Sequence, residues 1–180
     1  EVAAQKAGIK PIFGCEVYTG DVGEGKTQLK NHLTVLAATP DGYRNLLRLV
    51  SESWSNFYYQ PTTSGDNLRR HKDGLIVLSG CTGSLLATSL VGGKNIDPED
   101  ASYARGREVA RRFKKTFGDA YYLEVQAFPE LENVCRLNKM IVDLSKELSI
   151  PIVATGDVHY TSPDENEMQQ ILHSVGRNQS

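Results

Sequence analysis

Residues 150–160 read IPIVATGDVHY. The run from Ile150 to Thr155 is short, apolar and partly β-branched, and Gly156 closes it, so it reads as a strand rather than a helix. Asp157 and His159 follow at once. In extended chain, positions i and i+2 face the same way, so the carboxylate and the imidazole are expected on one face. The C-terminal end of a strand is where α/β proteins place their chemistry. An Asp–His pair there suits a borderline divalent metal such as zinc, manganese or iron. A helix-capping Asp beside a hydrogen-bonded His is the alternative, and the pair alone leaves both open.

Four more runs read as strands: 11–18, 33–38, 74–79 and 120–126. Helical patterns lie between and beyond them. Residues 40–55 carry Leu46, Leu47, Val50 and Trp54, with Thr39 or Asp41 as the cap. Residues 97–117 open on a capping-box-like Asp97-Pro98-Glu99-Asp100 and stop at Gly118. Residues 130–148 repeat Leu131, Val134, Leu137, Ile141, Leu144 and Leu148 at helical spacing, and 164–175 form the last pattern. Residues 19–31 and 60–66 read as polar loops. Strands alternating with helices predict parallel βαβ units in one α/β domain, either a barrel or an open sheet. GLIVLSG, AYYLEVQ and IPIVATG are nearly continuous apolar runs, as strands covered on both faces should be. The chain opens in EVAAQKAG, the last turns of a helix closed by Gly8, and ends inside a helical pattern. We therefore expect a fragment of a longer protein.

Composition narrows the class. Of 180 residues, 39% are hydrophobic and 16 are glycine, which excludes disordered and collagen-like chains. No apolar run reaches the ~18 residues of a membrane span. Twenty basic residues oppose 22 acidic ones, for a net charge of −2, so the chain as a whole is no basic nucleic-acid footprint. Cys15, Cys81 and Cys135 are odd in number and far apart. That argues against a disulfide scaffold and for a reducing, cytoplasmic setting.

Further metal-capable residues recur near strand ends. Glu16 sits in the apolar run PIFGCEVY, where an acid is costly unless paired or metal-bound. His32 opens NHLTVLAA, and Cys81 closes LIVLSGC. Each alone has a structural reading: a salt bridge, a satisfied histidine, a packed thiol. Their recurrence at four of five expected strands raises the metal reading. A rival is Gly20-Asp21-Val22-Gly23-Glu24-Gly25-Lys26-Thr27, which matches GxxxxGK[ST] and follows a strand, as a nucleotide-binding P-loop does. Against it, HLTVLAA also reads as a strand, and no clear strand ends in the acidic magnesium partner. Arg105, Arg107, Arg111, Arg112, Lys114 and Lys115 make one helix basic. It is either a solvated face or a weak DNA-phosphate contact through Arg105, Arg111, Arg112 and Lys115. Trp54, Phe57, Tyr58 and Tyr59 are expected to pack the end of their helix, with base stacking as the alternative.

In order, AGIKPIFGCEVY, HLTVLAATPDGYRNLLRLVSES, GLIVLSGC, YYLEVQ and IPIVATGDVHY resemble the PHP (polymerase and histidinol phosphatase) domain. The version is that at the N-terminus of bacterial C-family replicative DNA polymerases, the polymerase III α type. The resemblance implies a distorted (β/α)7 barrel whose first two strands, with an HxH motif and an Asp-His turn, precede residue 1. It implies a partial domain over 1–162, with 163–180 starting the connection towards the polymerase palm. It implies that Glu16, His32, Cys81, Asp157 and His159 match ligand positions of a divalent-metal cluster, zinc first, manganese or iron otherwise. Gly156 departs from the family's usual Asn. The implied activity is 3′–5′ phosphodiester hydrolysis within a DNA-directed DNA polymerase, whose own magnesium site lies outside these residues. The implied partners are DNA, a sliding clamp and a proofreading subunit, with no membrane. A catalytically silent docking module and a stand-alone PHP phosphoesterase are the alternatives.

Overall fold

The computed structural model describes residues 1–20, 30–93 and 96–176. The P-loop-like stretch from residue 21 to 27 lies outside them. The described elements, besides two short 3-10 turns, are α1 (Val2–Lys6), β1 (Gly14–Thr19), β2 (Asn31–Ala37), α2 (Pro40–Ser55) and α3 (Gly65–Arg70). There follow β3 (Leu75–Leu78), α4 (Leu85–Val91), α5 (Tyr103–Phe117), β4 (Tyr121–Gln126), α6 (Glu132–Leu148), β5 (Ile152–Thr155) and α7 (Asn166–Gly176). HLTVLAA is thus a strand.

The strands form one sheet in the order β1-β2-β3-β4-β5. The expected parallel pairing holds for β3–β4 and β4–β5, whose crossovers run through α4–α5 and α6. It fails for β1–β2 and β2–β3, which are antiparallel. A parallel pair needs a crossover of a dozen or more residues, usually a helix, whereas an antiparallel pair does not. The stretch between β1 and β2, residues 20–30, is shorter than such a crossover.

Helix boundaries follow local chemistry. Proline occupies the first turn of α2, and Thr39 rather than Asp41 is its cap, accepting from the Gly42 N–H at 3.0 Å. The buried stripe of α2 is Gly42, Leu46, Leu49 and Ser53. Of the expected stripe, Leu47 and Trp54 point to solvent instead. Gly42 is required: a Cβ there would stand 1.9 Å from the Gly74 carbonyl oxygen. The Asp97 capping box does not form. The Asp97 carbonyl closes a turn with the Asp100 N–H, and α5 starts later, capped by Ser102 on the Arg105 N–H at 3.2 Å. Two short helices, α3 and α4, were not legible, and each begins on a serine cap, Ser64 and Ser84.

Helices α2, α4, α5 and α6 cover one face of the sheet. Val17, Leu33, Val35, Leu75, Val77, Tyr121 and Leu123 meet Leu46, Leu49, Leu86, Leu90, Val109, Leu137, Ile141 and Leu144 there. Gly106 stands where α5 crosses α4, since a Cβ would meet Leu90 Cδ2 at 2.2 Å. The opposite face carries Glu16, Thr34, Leu78 and Tyr122, which the strand register places side by side. β5 departs from the both-faces-covered expectation: it ends the sheet, and Ile152 is 38% exposed. All three cysteines are free. Among the described residues no helix is long and apolar enough to cross a membrane.

Candidate metal centre

The antiparallel setting of β2 builds the site. It brings the start of β2 to the edge where β1, β3, β4 and β5 end. His32 therefore lies opposite Tyr18, next to Glu16 and beside the turn that follows β3. The Glu16 carboxylate accepts from His32 Nδ1 at 2.9 Å, and Cys81 Sγ lies 3.8 Å from the same nitrogen. The turn is pressed against His32. A Cβ on Gly80, whose φ is +84°, would come within 2.9 Å of the His32 carbonyl oxygen, and one on Gly83 within 3.6 Å of the ring. Only glycine takes the left-handed conformation here without both strain and collision.

The electrostatics are those of a protonated imidazole held between a carboxylate and a thiol. The hydrogen bond from His32 lowers the Glu16 carboxyl, with further help from the charges of His32 and His159 and against the effect of burial. Hydrogen bonding to Cys81 and Glu16 holds the His32 imidazole up at about 10, again against burial. A raised folded-state pKa gives stability that is complete below the ordinary His value of about 6.5 and is lost as pH rises through about 10. The side chains are 35% and 44% exposed, so the pair is of surface size, roughly 0.2–1 kcal/mol. In chelator-treated protein, the thermal midpoint of wild type should therefore fall more steeply between pH 7 and 10 than that of His32→Gln. Parallel profiles would show that the pair contributes nothing.

Asp157 and His159 stand beyond the end of β5, and their shared face is not that of a strand. Asp157 has φ +47°, which breaks the two-residue alternation, and His159 Nδ1 contacts the Asp157 carbonyl at 2.6 Å. The Asp157 carboxylate lies 3.9 Å from the same nitrogen. The His159 charge acts on Glu16 and the Asp157 charge on Glu124, so the pair shares the edge. Glu16, His32 and Cys81 are thus brought together, while Asp157 and His159 share their edge with no hydrogen bond or ion pair to them. Among the described residues, no three His, Cys, Asp or Glu side chains already form a metal-holding group. The donor chemistry of carboxylate, imidazole and thiol nonetheless fits a borderline divalent ion.

Glu124 was missed. It is 6% exposed, lies on the site face of β4, and accepts from the Gly80 N–H at 3.1 Å and from the Thr155 hydroxyl. Burial, aided by the charges of Asp157 and Glu16, raises its pKa against the pull of those hydrogen bonds. The signal was present in YYLEVQ, an acid inside an apolar strand, the same argument that singled out Glu16.

The basic residues of α5 belong to the helical layer. Arg111 pairs with Glu108 at 3.4 Å, while Arg105 and Arg112 line a cleft of about 420 Å³ beside the same edge, with Arg69, Thr19 and Asn31. Lys115 is not among its lining residues. The aromatic cluster does not pack its helix end into the core. Trp54 and Phe57 stack with centroids 5.7 Å apart and remain 60% and 51% exposed, because the buried stripe of α2 runs along another side.

A family model described as the PHP domain matches residues 2–128, a span that includes Glu16, His32 and Cys81 and stops before Asp157. A DNA polymerase III subunit alpha of Borreliella burgdorferi is 34% identical over 180 residues, covering 96% of this chain and 15% of that protein. The subunit of the same name from Treponema pallidum is 35% identical over 177 residues, covering 94% and 14%. That from Chlamydia trachomatis is 32% identical over 190 residues, covering 93% and 15%. The chain therefore spans about one seventh of the length of these relatives.

Proposed function

Since this chain belongs to the PHP domain family, we propose that it is the PHP domain of a bacterial replicative DNA polymerase and that its sheet edge holds a divalent-metal cluster. The observation that carries the metal reading is the convergence of Glu16 and Cys81 on one nitrogen of His32. Glu16 orients the imidazole, Cys81 adds a soft donor, and Asp157 and His159 approach from β5. Bound there, clustered divalent ions, zinc first, would supply a water of lowered pKa and charge stabilisation for the leaving oxygen of a phosphodiester. The substrate is then the 3′ end of a DNA strand, and Arg105 and Arg112 would hold backbone phosphate beside the edge. The expected barrel is the (β/α)7 form, with the two further strands supplied from before residue 1, and residues 163–180 lead towards the palm. The setting is the cytoplasm, with DNA, a sliding clamp and a proofreading subunit as partners and a separate magnesium site for synthesis.

A second reading has its own support. No three metal-capable side chains already form a holding group among the described residues, which favours a docking module without hydrolysis. Elemental analysis of the full-length protein separates the two. Zinc, manganese or iron at one or more equivalents is the expected result, and protein free of all three would overturn the metal reading.

A further inference from the structure

Two of the proposed ligands, Cys81 and Asp157, sit on segments at the ends of different strands. Cys81 follows Gly80 in the turn after β3, and Asp157 comes two residues after Thr155, the last residue of β5. β3 and β5 are not neighbours, since β4 lies between them. One side chain connects both segments. The Glu124 carboxylate accepts from the Gly80 N–H through Oε2 and from the Thr155 hydroxyl through Oε1. Its own backbone N–H donates to Ser79 Oγ at 2.8 Å, and the Ser79 N–H donates to the Tyr122 carbonyl at 2.9 Å.

Gly80 is buried and its N–H lies past the last paired residues of β3, so that donor needs a partner. A buried carboxylate close to Asp157 and Glu16 is a costly way to supply one. A group satisfying Gly80 alone would not need to reach β5 as well. We propose that Glu124 is a positioning residue: it ties the Ser79–Cys81 turn to the end of β5 and so sets the distance between Cys81 and Asp157. This rests on the metal reading only for its consequence at the ion, because the tie itself is a property of the chain.

The test uses the full-length protein with two readouts. Hydrogen exchange, read on peptides spanning 79–84 and 153–159 in chelator-treated protein, reports the tie without metal. Zn²⁺ alone, titrated against a competing chelator, reports its consequence. Glu124→Ala should speed exchange in both peptides and weaken zinc binding by about 10–100-fold, the usual cost of losing an outer-shell partner. Glu124→Gln should restore both, since its amide can accept from Gly80 and donate to the Thr155 oxygen. Should the alanine variant not fold, Thr155→Val removes only the β5 arm and should speed exchange at 153–159. Unchanged exchange in these variants overturns the proposal, as does unchanged zinc affinity in Glu124→Ala when wild type binds. If Glu124→Gln loses zinc affinity as alanine does while exchange stays at the wild-type rate, Glu124 acts by its charge and the proposal fails. If wild type binds no zinc, the metal reading fails, and exchange alone decides the tie.

Discussion

Replacing His32 with alanine in the full-length protein should lower its affinity for divalent metal by more than about 100-fold, beyond the usual outer-shell loss. His32 is the one residue in contact with both other members of the cluster, 2.9 Å from Glu16 and 3.8 Å from Cys81. Alanine removes the only imidazole of that trio and leaves a carboxylate and a thiol with nothing between them. The same measurement on Asp157→Ala decides whether the β5 pair belongs to the centre. A comparable fall in bound metal would join it to the trio. Unchanged occupancy would remove Asp157 from the ligand set and leave Glu16, His32 and Cys81 to stand alone. Residual metal should be read by elemental analysis after dialysis, alongside hydrogen exchange to show that the sheet persists.

Replacing Leu123 with alanine should destabilise the domain by about 2–5 kcal/mol. Leu123 is fully buried in β4, with β3 on one side, β5 on the other, and helices over its face. The surrounding strands and helices cannot all close on the space, so lost transfer energy and a residual cavity add together. It points away from Glu124, its neighbour in sequence, so the loss acts through the core. Chemical denaturation with a probe specific to this domain checks the size. A change below about 1 kcal/mol would mean that the core collapses around the gap.

Much of this was legible in the sequence. Five apolar runs became five strands, with ends shifted by a few residues. The pattern at 40–55 became α2 over the same residues, because its proline and threonine cap act within one turn. The buried stripe of that helix was less legible: Leu47 and Leu49 are equally apolar, and only packing on β2 and β3 decides which is covered. Helices α3 and α4 escaped because six or seven residues show too little periodicity to stand out.

At the site the division has a physical cause. The sequence by itself determined which residues are metal-capable and that they fall near strand ends, because residue chemistry and the two-residue strand period are local. The resemblance to a family rested on the same local segments. Which strands run antiparallel was decided only in the tertiary structure, since pairing direction depends on contacts between residues far apart in the chain. That direction carries His32, at the start of its strand, to the edge where Glu16 and Cys81 already lie. The parallel pairing of β4 with β3 and β5 likewise buries Glu124 between two segments it never adjoins in sequence, where its two oxygens satisfy a glycine amide and a threonine hydroxyl.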